Sequence, residues 1–336
     1  MSCSQLSTTI LFWSADNLKI LLSQRDGLGN QLFQYSAGLY FAEKYGASLE
    51  IIRTMKWKET SHGHPRPFML NKFHITTPAR ERTFLDRLQR TNSRLIGLAA
   101  SPIRRILGAY SHDPYCKIIG DFQPDLPLHA GIKRLYLFGH FQAYQYAQNV
   151  ERKLRSELTF REPPSYSVLE MLNRTRDCKC PVSLHIRRGD YEVIHNGTFL
   201  LPMTYYDNAI AAILDIYPNA TFFVFSDDVN FARTNLPKRE CMVFVDHNSE
   251  EKAHEDLRLM SSCRHHIIAN STFSWWGAWL NPNAEKLVLA PDPWLPDIHR
   301  ADLIPPTWRC IPTQARSNRS ASQYNSPAVH VKKSMY

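Results

Sequence analysis

No apolar run in this chain is long enough to cross a bilayer. The stretch from Ile10 to Trp13 falls far short of the roughly twenty residues a spanning helix needs, and it is also too short for a signal peptide. Cysteines are few and show no pairing pattern: seven in 336 residues, an odd number, scattered from Cys3 to Cys310. Cys178-Lys179-Cys180 lacks the spacing of a redox or zinc pair. Cys241 and Cys263 sit in or beside apolar elements, where a free thiol behaves as a small hydrophobe. These absences argue against a disulfide framework and a spanning helix, and they lead to the expectation of a reducing, cytoplasmic setting. There the Asn-x-Ser/Thr sites at Asn173, Asn196, Asn219, Asn270 and Asn318 are chance matches. Familiar signatures are missing as well. No phosphate-binding P-loop or dinucleotide fingerprint has the right spacing, no Gly-x-Ser-x-Gly elbow marks a serine hydrolase, and no internal repeat is apparent. His62, His64, His265 and His266 do not form a four-ligand zinc set, which favours surface or core histidines.

Acids are scarce in one region. Residues 51–110 hold twelve Lys/Arg against Glu59, Glu81 and Asp86, an excess of nine that equals the formal +9 of the whole chain. Such a patch suits a polyanion: nucleic acid, an acidic membrane surface or a phosphate-bearing substrate. From about Arg80 to Ile106 basic residues alternate with Phe84, Leu85, Leu88 and Leu95. Two readings weigh equally here: an amphipathic helix lying on anionic lipid at the inner membrane surface, or a core-facing helix with a solvated basic face. Nucleic acid is disfavoured because no recognition motif accompanies the charge.

What is present is globular and large enough for two domains, with 43% apolar residues. The second half alternates strands and helices. Strands are expected at Cys180–Ile186, Thr221–Phe225, Met242–Val245, His266–Ala269 and, last, Lys286–Leu289. Between them lie helices at Thr204–Ile216 (opened by a Thr204/Asp207 capping box), around Asn230–Asn235, after an Asn248 cap, and at Phe273–Leu280. Short connections of this kind imply a parallel, doubly wound sheet. The first half is less regular: a strand at Asn17–Leu22, a Gly-containing turn at Asp26–Asn30, a helix from Gln31 to Tyr45, then residues 51–150 without a clear period. A hinge is expected near Arg152–Pro181. This yields an acceptor-side domain over 18–155, a nucleotide-binding domain over 175–312, and a polar tail over 313–336 that reads as disordered.

Four segments fall at strand ends, where open α/β sheets gather ligand contacts. In His185-Ile186-Arg187-Arg188-Gly189-Asp190 a strand runs into two arginines, whose rigid forks of donors match phosphate oxygens; surface arginines in a turn are the bland alternative. Asp190 either locks one guanidinium or bonds a sugar hydroxyl. In Phe225-Ser226-Asp227-Asp228 the paired carboxylates suit a divalent cation, the donors of guanine, or the cap of the next helix. Asn270-Ser271-Thr272-Phe273 opens a helix whose N-terminus is a phosphate site, while Trp275, Trp276 and Trp279 are favoured as core over sugar platform. Gly27-Leu28-Gly29-Asn30-Gln31 lets backbone approach a ligand closely, and alone it is a weak signal.

Together these segments resemble the glycosyltransferase family 11 α-1,2-fucosyltransferases. GLGNQLFQYSAG (Gly27–Gly38), HIRRGD, FSDD, NSTFSWWGAWLNP, APDPW and LIPPTW stand in the family's order, and the resemblance covers Leu18 to Pro312. It implies an α/β, GT-B-like fold of two Rossmann-like domains facing a central cleft. It implies transfer of L-fucose from GDP-β-L-fucose, with inversion, to the 2-hydroxyl of a terminal β-galactoside in cell-surface glycan or O-antigen biosynthesis. No cofactor and no obligatory metal are implied. Arg187 would hold the β-phosphate, Ser271, Thr272 and Phe273 would line the same diphosphate, and His185 with Asp227 or Asp228 would meet guanine or ribose. Asn30 would face the reacting centre, Gly27 and Gly29 beside it would belong to the donor-binding set, and so would Arg188, which would otherwise mainly support the fold. The general base falls to Asp190, if it is not engaged by Arg187, or to Asp26. Asp26-Gly27 stands where the family pattern has Gly-Gly, and about seventeen residues precede Leu18, where such enzymes often start close to the first strand. Runners-up are a fucosyltransferase of another linkage, such as α-1,6, and a non-catalytic nucleotide-sugar or glycan-binding protein.

Overall fold

The computed structural model describes residues 18–53, 66–83, 115–118, 122–126, 128, 132–237, 240–296 and 302–313. His62, His64, most of the basic stretch from Arg80 to Ile106, and the tail after Thr313 lie outside the described residues. Arg80 itself is described, and it sits in a strand rather than at the start of a helix.

The first half forms a five-stranded, all-parallel sheet. Its strands are β1 (Lys19–Gln24), β2 (Ser48–Arg53), β3 (Ala79–Glu81), β4 (Tyr115–Ile118) and β5 (Arg134–Gly139), in the order β3-β2-β1-β5-β4. Helix α1 (Leu28–Tyr45) follows β1 directly, so the expected Asp26–Asn30 turn is shorter than the sequence suggests. Gly27 is the N-cap, and Gly29 and Asn30 already belong to the helix. Glycine's weak helix propensity masks this start, because packing rather than propensity holds it. The helix ends at Gly46, whose left-handed φ of 60° lets its N–H reach the carbonyls of Ala42 and Glu43.

The short helix α2 (Tyr144–Asn149) precedes the expected hinge region, which the short α3 (Glu151–Glu157) and the amphipathic α4 (Tyr166–Asp177) fill. The second sheet has six parallel strands: β6 (Pro181–Ile186), β7 (Thr221–Ser226), β8 (Met242–Val245), β9 (His265–Ile267), β10 (Val288–Asp292) and β11 (Arg309–Pro312). They lie in the order β11-β10-β9-β6-β7-β8. The strand expected to be last is therefore followed by another, β11. Helices α5 (Met203–Ile216), α6 (Val229–Asn235), α7 (Ala253–Ser262) and α8 (Thr272–Leu280) connect these strands. Two expected caps do not form. Pro202 takes the N-cap of α5, leaving the Thr204/Asp207 box unused, and Asn248 donates to Asp256 Oδ1 (2.6 Å) instead of capping α7. Two parallel Rossmann-like sheets in one chain make the α/β, GT-B-like architecture that the resemblance implies.

Strand β6 is buried along its whole length, and its apolar residues feed one of two cores. Val182, Leu184 and Ile186 pack with Tyr205, Ile210 and Ile213 of α5, while the opposite face of the neighbouring β7 packs Phe223 and Phe225 with Leu259 and Met260 of α7. The largest core joins the two halves. Phe33 of α1 lies 4.5 Å from Trp275 and 5.2 Å from Trp276 of α8, ring centroid to centroid. Trp275, Trp276 and Trp279 are all core, as expected.

Candidate active site

In each sheet the strand order reverses beside a central strand, and there the carboxyl ends open a crevice. The second sheet reverses between β6 and β9, the first between β1 and β5. Arg187 follows β6, Asn270 and Ser271 follow the β9 segment, Asp26 and Gly27 follow β1, and His140 follows β5. The two crevices are brought together by glycine. A Cβ on Gly29 would lie 2.5 Å from the Phe273 amide nitrogen and 2.7 Å from Thr272 Oγ1, so the start of α1 abuts the start of α8.

Arg187 is held from both sides. Its Nη2 donates to Asp190 Oδ1 at 2.5 Å, its Nη1 lies 2.7 Å from Asp227 Oδ2, and its guanidinium sits 5.6 Å from the Tyr191 ring centroid. Burial works against its charge, but Asp227 and Asp190 outweigh burial and hold its pKa above the usual value. Asp227 also accepts from the Arg188 backbone N–H (2.8 Å), and burial raises its carboxyl pKa against the pull of Arg187. Gly189, at φ 23°, leaves no room for a side chain beside the Asp227 carboxylate.

Of the three readings of the aspartate pair, the cap holds for Asp228: its Oδ1 accepts from Phe231 N–H at 2.9 Å at the start of α6. Arg188 pairs with Glu192 and stacks 3.5 Å from the Phe231 ring centroid, bracing the β6 loop against α6. Among the described residues no group of three or more His, Cys, Asp or Glu side chains is placed to hold a metal.

His185 is buried at the end of β6, 5.9 Å from Phe273 ring to ring, and its Nδ1 has no hydrogen-bond partner. Burial, reinforced by Arg187, lowers its pKa to about 3, so it is neutral at working pH. Ser271 caps α8 by accepting from Phe273 N–H (3.3 Å), which already satisfies one of the donors expected to meet phosphate. Asn270 is buried, its Nδ2 on Phe199 O (2.9 Å) and its own carbonyl accepting from Tyr191 Oη (3.0 Å).

On the facing side, Asn30 Oδ1 accepts from Gln142 Nε2 (2.9 Å). Asp26, at φ 65°, lies 3.1 Å from His140 Nε2 and 3.3 Å from Arg25 Nε. Gln31 is buried; its Nε2 donates to Asp26 O and Pro67 O (both 2.8 Å), and its Oε1 accepts from Met69 N–H (2.9 Å). Sequence reasoning gave no role to His140, Gln142 or Tyr191. The first two follow strand β5, whose apolar run Leu135–Phe138 was the available signal in an otherwise unpatterned region.

The family model described as glycosyl transferase family 11 matches residues 105–308. The chain belongs to glycosyltransferase family 11. This glycosyltransferase is 31% identical to the O-antigen biosynthesis glycosyltransferase WbnK of Escherichia coli over 299 residues, 84% of this chain and 97% of the relative. It is 30% identical to an E. coli alpha-1,2-colitosyltransferase over 84% of this chain and 95% of the relative. It is also 26% identical to galactoside alpha-(1,2)-fucosyltransferase 1 of Aotus azarae over 44% of this chain and 43% of that protein. No helix among the described residues is long and apolar enough to cross a membrane.

Proposed function

We propose that this enzyme transfers L-fucose from GDP-β-L-fucose to the 2-hydroxyl of a terminal β-galactoside with inversion, in cell-surface glycan or O-antigen biosynthesis. The observation that carries this reading is Arg187 at the switch point of the second sheet, with the α1 start abutting the α8 start that follows β9. The half with the second sheet, 175–312, takes the donor, and the half with the first, 18–155, takes the acceptor. A cytoplasmic setting, supported by the scattered cysteines, and peripheral contact to anionic membrane through residues 51–110, supported by their charge, belong to the same reading.

Cleavage of the fucose–phosphate bond develops an oxocarbenium-like sugar and negative charge on the diphosphate. Arg187 stabilises that charge; loss of one such preorganised donor typically costs ~10²–10³-fold in rate. His185, neutral, and Asp227 read guanine or ribose, while Ser271, Thr272 and Phe273 shape the diphosphate side. A base for the incoming hydroxyl must lie on the face opposite the leaving group. Asp190 is engaged by Arg187 on the leaving-group side, which assigns the role to Asp26 beside His140. Asn30 and Gln142 orient the acceptor. The kinship with a colitosyltransferase favours a second reading, in which the same site takes a colitosyl donor.

The test is incubation with GDP-fucose or a colitosyl donor and lactose, with and without EDTA, followed by linkage analysis of the product. An α-1,2-fucosyl product in both conditions is expected, and Asp26→Asn should lower kcat at least tenfold with little change in donor KM. A 1,6-linked product would overturn the linkage. GDP binding without turnover on any galactoside would favour a binding protein.

A further inference from the structure

The loop between β6 and α5 carries the Arg187 clamp, and two of its residues are fastened to a single residue just past β9. Tyr191 Oη donates to the backbone carbonyl of Asn270 at 3.0 Å, and Asn270 Nδ2 donates to Phe199 O at 2.9 Å. A carbonyl oxygen only accepts, so Phe199 fixes which way round the Asn270 amide stands. The Tyr191 and Phe199 rings meet edge-on, centroids 5.9 Å apart, and close the loop on itself between the two ties. Asn270 is buried, and its Oδ1 has no hydrogen-bond partner among the described residues. An orphaned buried acceptor works against stability, so the net contribution of this amide to folding is small. Its distinct effect is on where the loop lies.

The ties hold an aromatic ring beside the clamp. The Arg187 guanidinium sits 5.6 Å from the Tyr191 centroid, while Asp190 and Asp227 engage its Nη2 and Nη1. The two carboxylates set where the Nη atoms point, and the neighbouring ring restricts how far the group can swing between them. Arg188 leans instead on Phe231 of α6, so its placement does not depend on this loop in the same way. We propose that Asn270 and Tyr191 are positioning residues for Arg187: Asn270 pins the loop at Tyr191 and Phe199, and Tyr191 holds the guanidinium ready for the diphosphate. This assignment rests on the donor reading above. Neither residue touches the ligand in this role, so losing either acts on the diphosphate contact and spares the nucleoside.

The experiment is calorimetric titration of the full chain with GDP and with guanosine. It compares wild type with Tyr191→Phe, Tyr191→Leu and Asn270→Ala, each also combined with Arg187→Lys, the fold of every variant being verified by circular dichroism. Tyr191→Phe removes only the bond to Asn270 O and should weaken GDP binding about threefold; Tyr191→Leu also removes the ring and should weaken it about tenfold. Asn270→Ala should weaken GDP as well, and guanosine should stay within about twofold of wild type throughout. Combined with Arg187→Lys, the same substitutions should change GDP affinity less than about twofold, because lysine has no fork to orient. A role confined to stability would leave the losses at full size there. GDP affinity unchanged in Tyr191→Leu, equal losses for GDP and guanosine, or full losses retained beside Arg187→Lys would each overturn this assignment while leaving the donor reading intact. Wild type that binds neither GDP nor inorganic pyrophosphate would overturn both.

Discussion

A methyl group on residue 29 would fall 2.5 Å from the amide nitrogen of Phe273, a distance no real Cβ tolerates. Gly27, two residues earlier, has nothing within 4 Å of its missing Cβ and a φ of −69° that any residue adopts. Two glycines of one motif thus carry different weight. Gly29→Ala should lower stability by ~1–3 kcal/mol through overpacking and depress turnover by separating α1 from α8, whereas Gly27→Ala should stay within ~0.5 kcal/mol of wild type. Thermal unfolding of both variants checks this, and equal effects would mean that the helix starts do not abut. At Arg187 the bidentate fork is shared between two carboxylates, Asp190 and Asp227. Arg187→Lys keeps the charge but loses the fork, so kcat should fall at least a hundredfold in a protein that still folds. Near-normal kcat would remove Arg187 from the leaving-group contact.

At the scale of elements, the joining of the halves depends on α1 against α8. Phe33 is fully buried between Trp275 and Trp276, and Trp275 Nε1 donates to Leu303 O at 2.8 Å, tying the C-terminal segment into the same core. Phe33→Ala should cost ~3–5 kcal/mol in urea unfolding. Gly277 lets α8 approach α7, since a Cβ there would meet Met260 Cβ and Sδ at 2.9 Å. Legibility also differed by element. The strands β6 to β10 of the second sheet are short and separated by compact helices, so each shows as a local apolar run, and β8 matches its expected bounds to the residue, whereas the mostly exposed β11 offers no such run. The first sheet draws β3, β4 and β5 from across a long basic stretch, and a three-residue strand such as Ala79–Glu81 has no periodicity to detect. Capping motifs misled for a related reason: Thr204 and Asn248 had the right spacing, but Pro202 and Asp256 competed for those positions or groups in three dimensions.

Across the molecule, buried titratable groups tie stability to pH. His266 is fully buried in β9, with Nε2 2.8 Å from Asn281 Nδ2 and Nδ1 2.7 Å from Ser183 Oγ. An amide nitrogen can only donate, so Nε2 accepts and the proton sits on Nδ1. Burial, with help from Lys286 and His265, lowers its pKa to about 3, and His185 is likewise lowered to about 3. Because both folded-state values are depressed below 6.5, the stabilisation is complete above that pH and is lost as pH falls toward 3. Each group contributes about 1.4 kcal/mol per pH unit within that window. Asp256 acts in the opposite sense: burial raises its carboxyl to about 6, so it favours the folded state below pH 3.8 and loses that contribution as pH rises through 6. Urea denaturation at pH 7.5 and pH 5 should therefore show a net loss at the lower pH, enlarged in Asp256→Asn. Equal stability at both would mean that these histidines are not buried as neutral groups.

The alternation of strands β6 to β10 with helices, the glycine, arginine and aspartate motifs and the family itself were determined by sequence alone, because each depends on residues adjacent in the chain. Tertiary structure decided which charges face one another. Arg187 is neutralised by Asp190, three residues away, but equally by Asp227 from the next strand. Electrostatic energy falls with distance through space, not with separation along the chain. The arginine pair was therefore legible as a phosphate clamp, but its net charge was not.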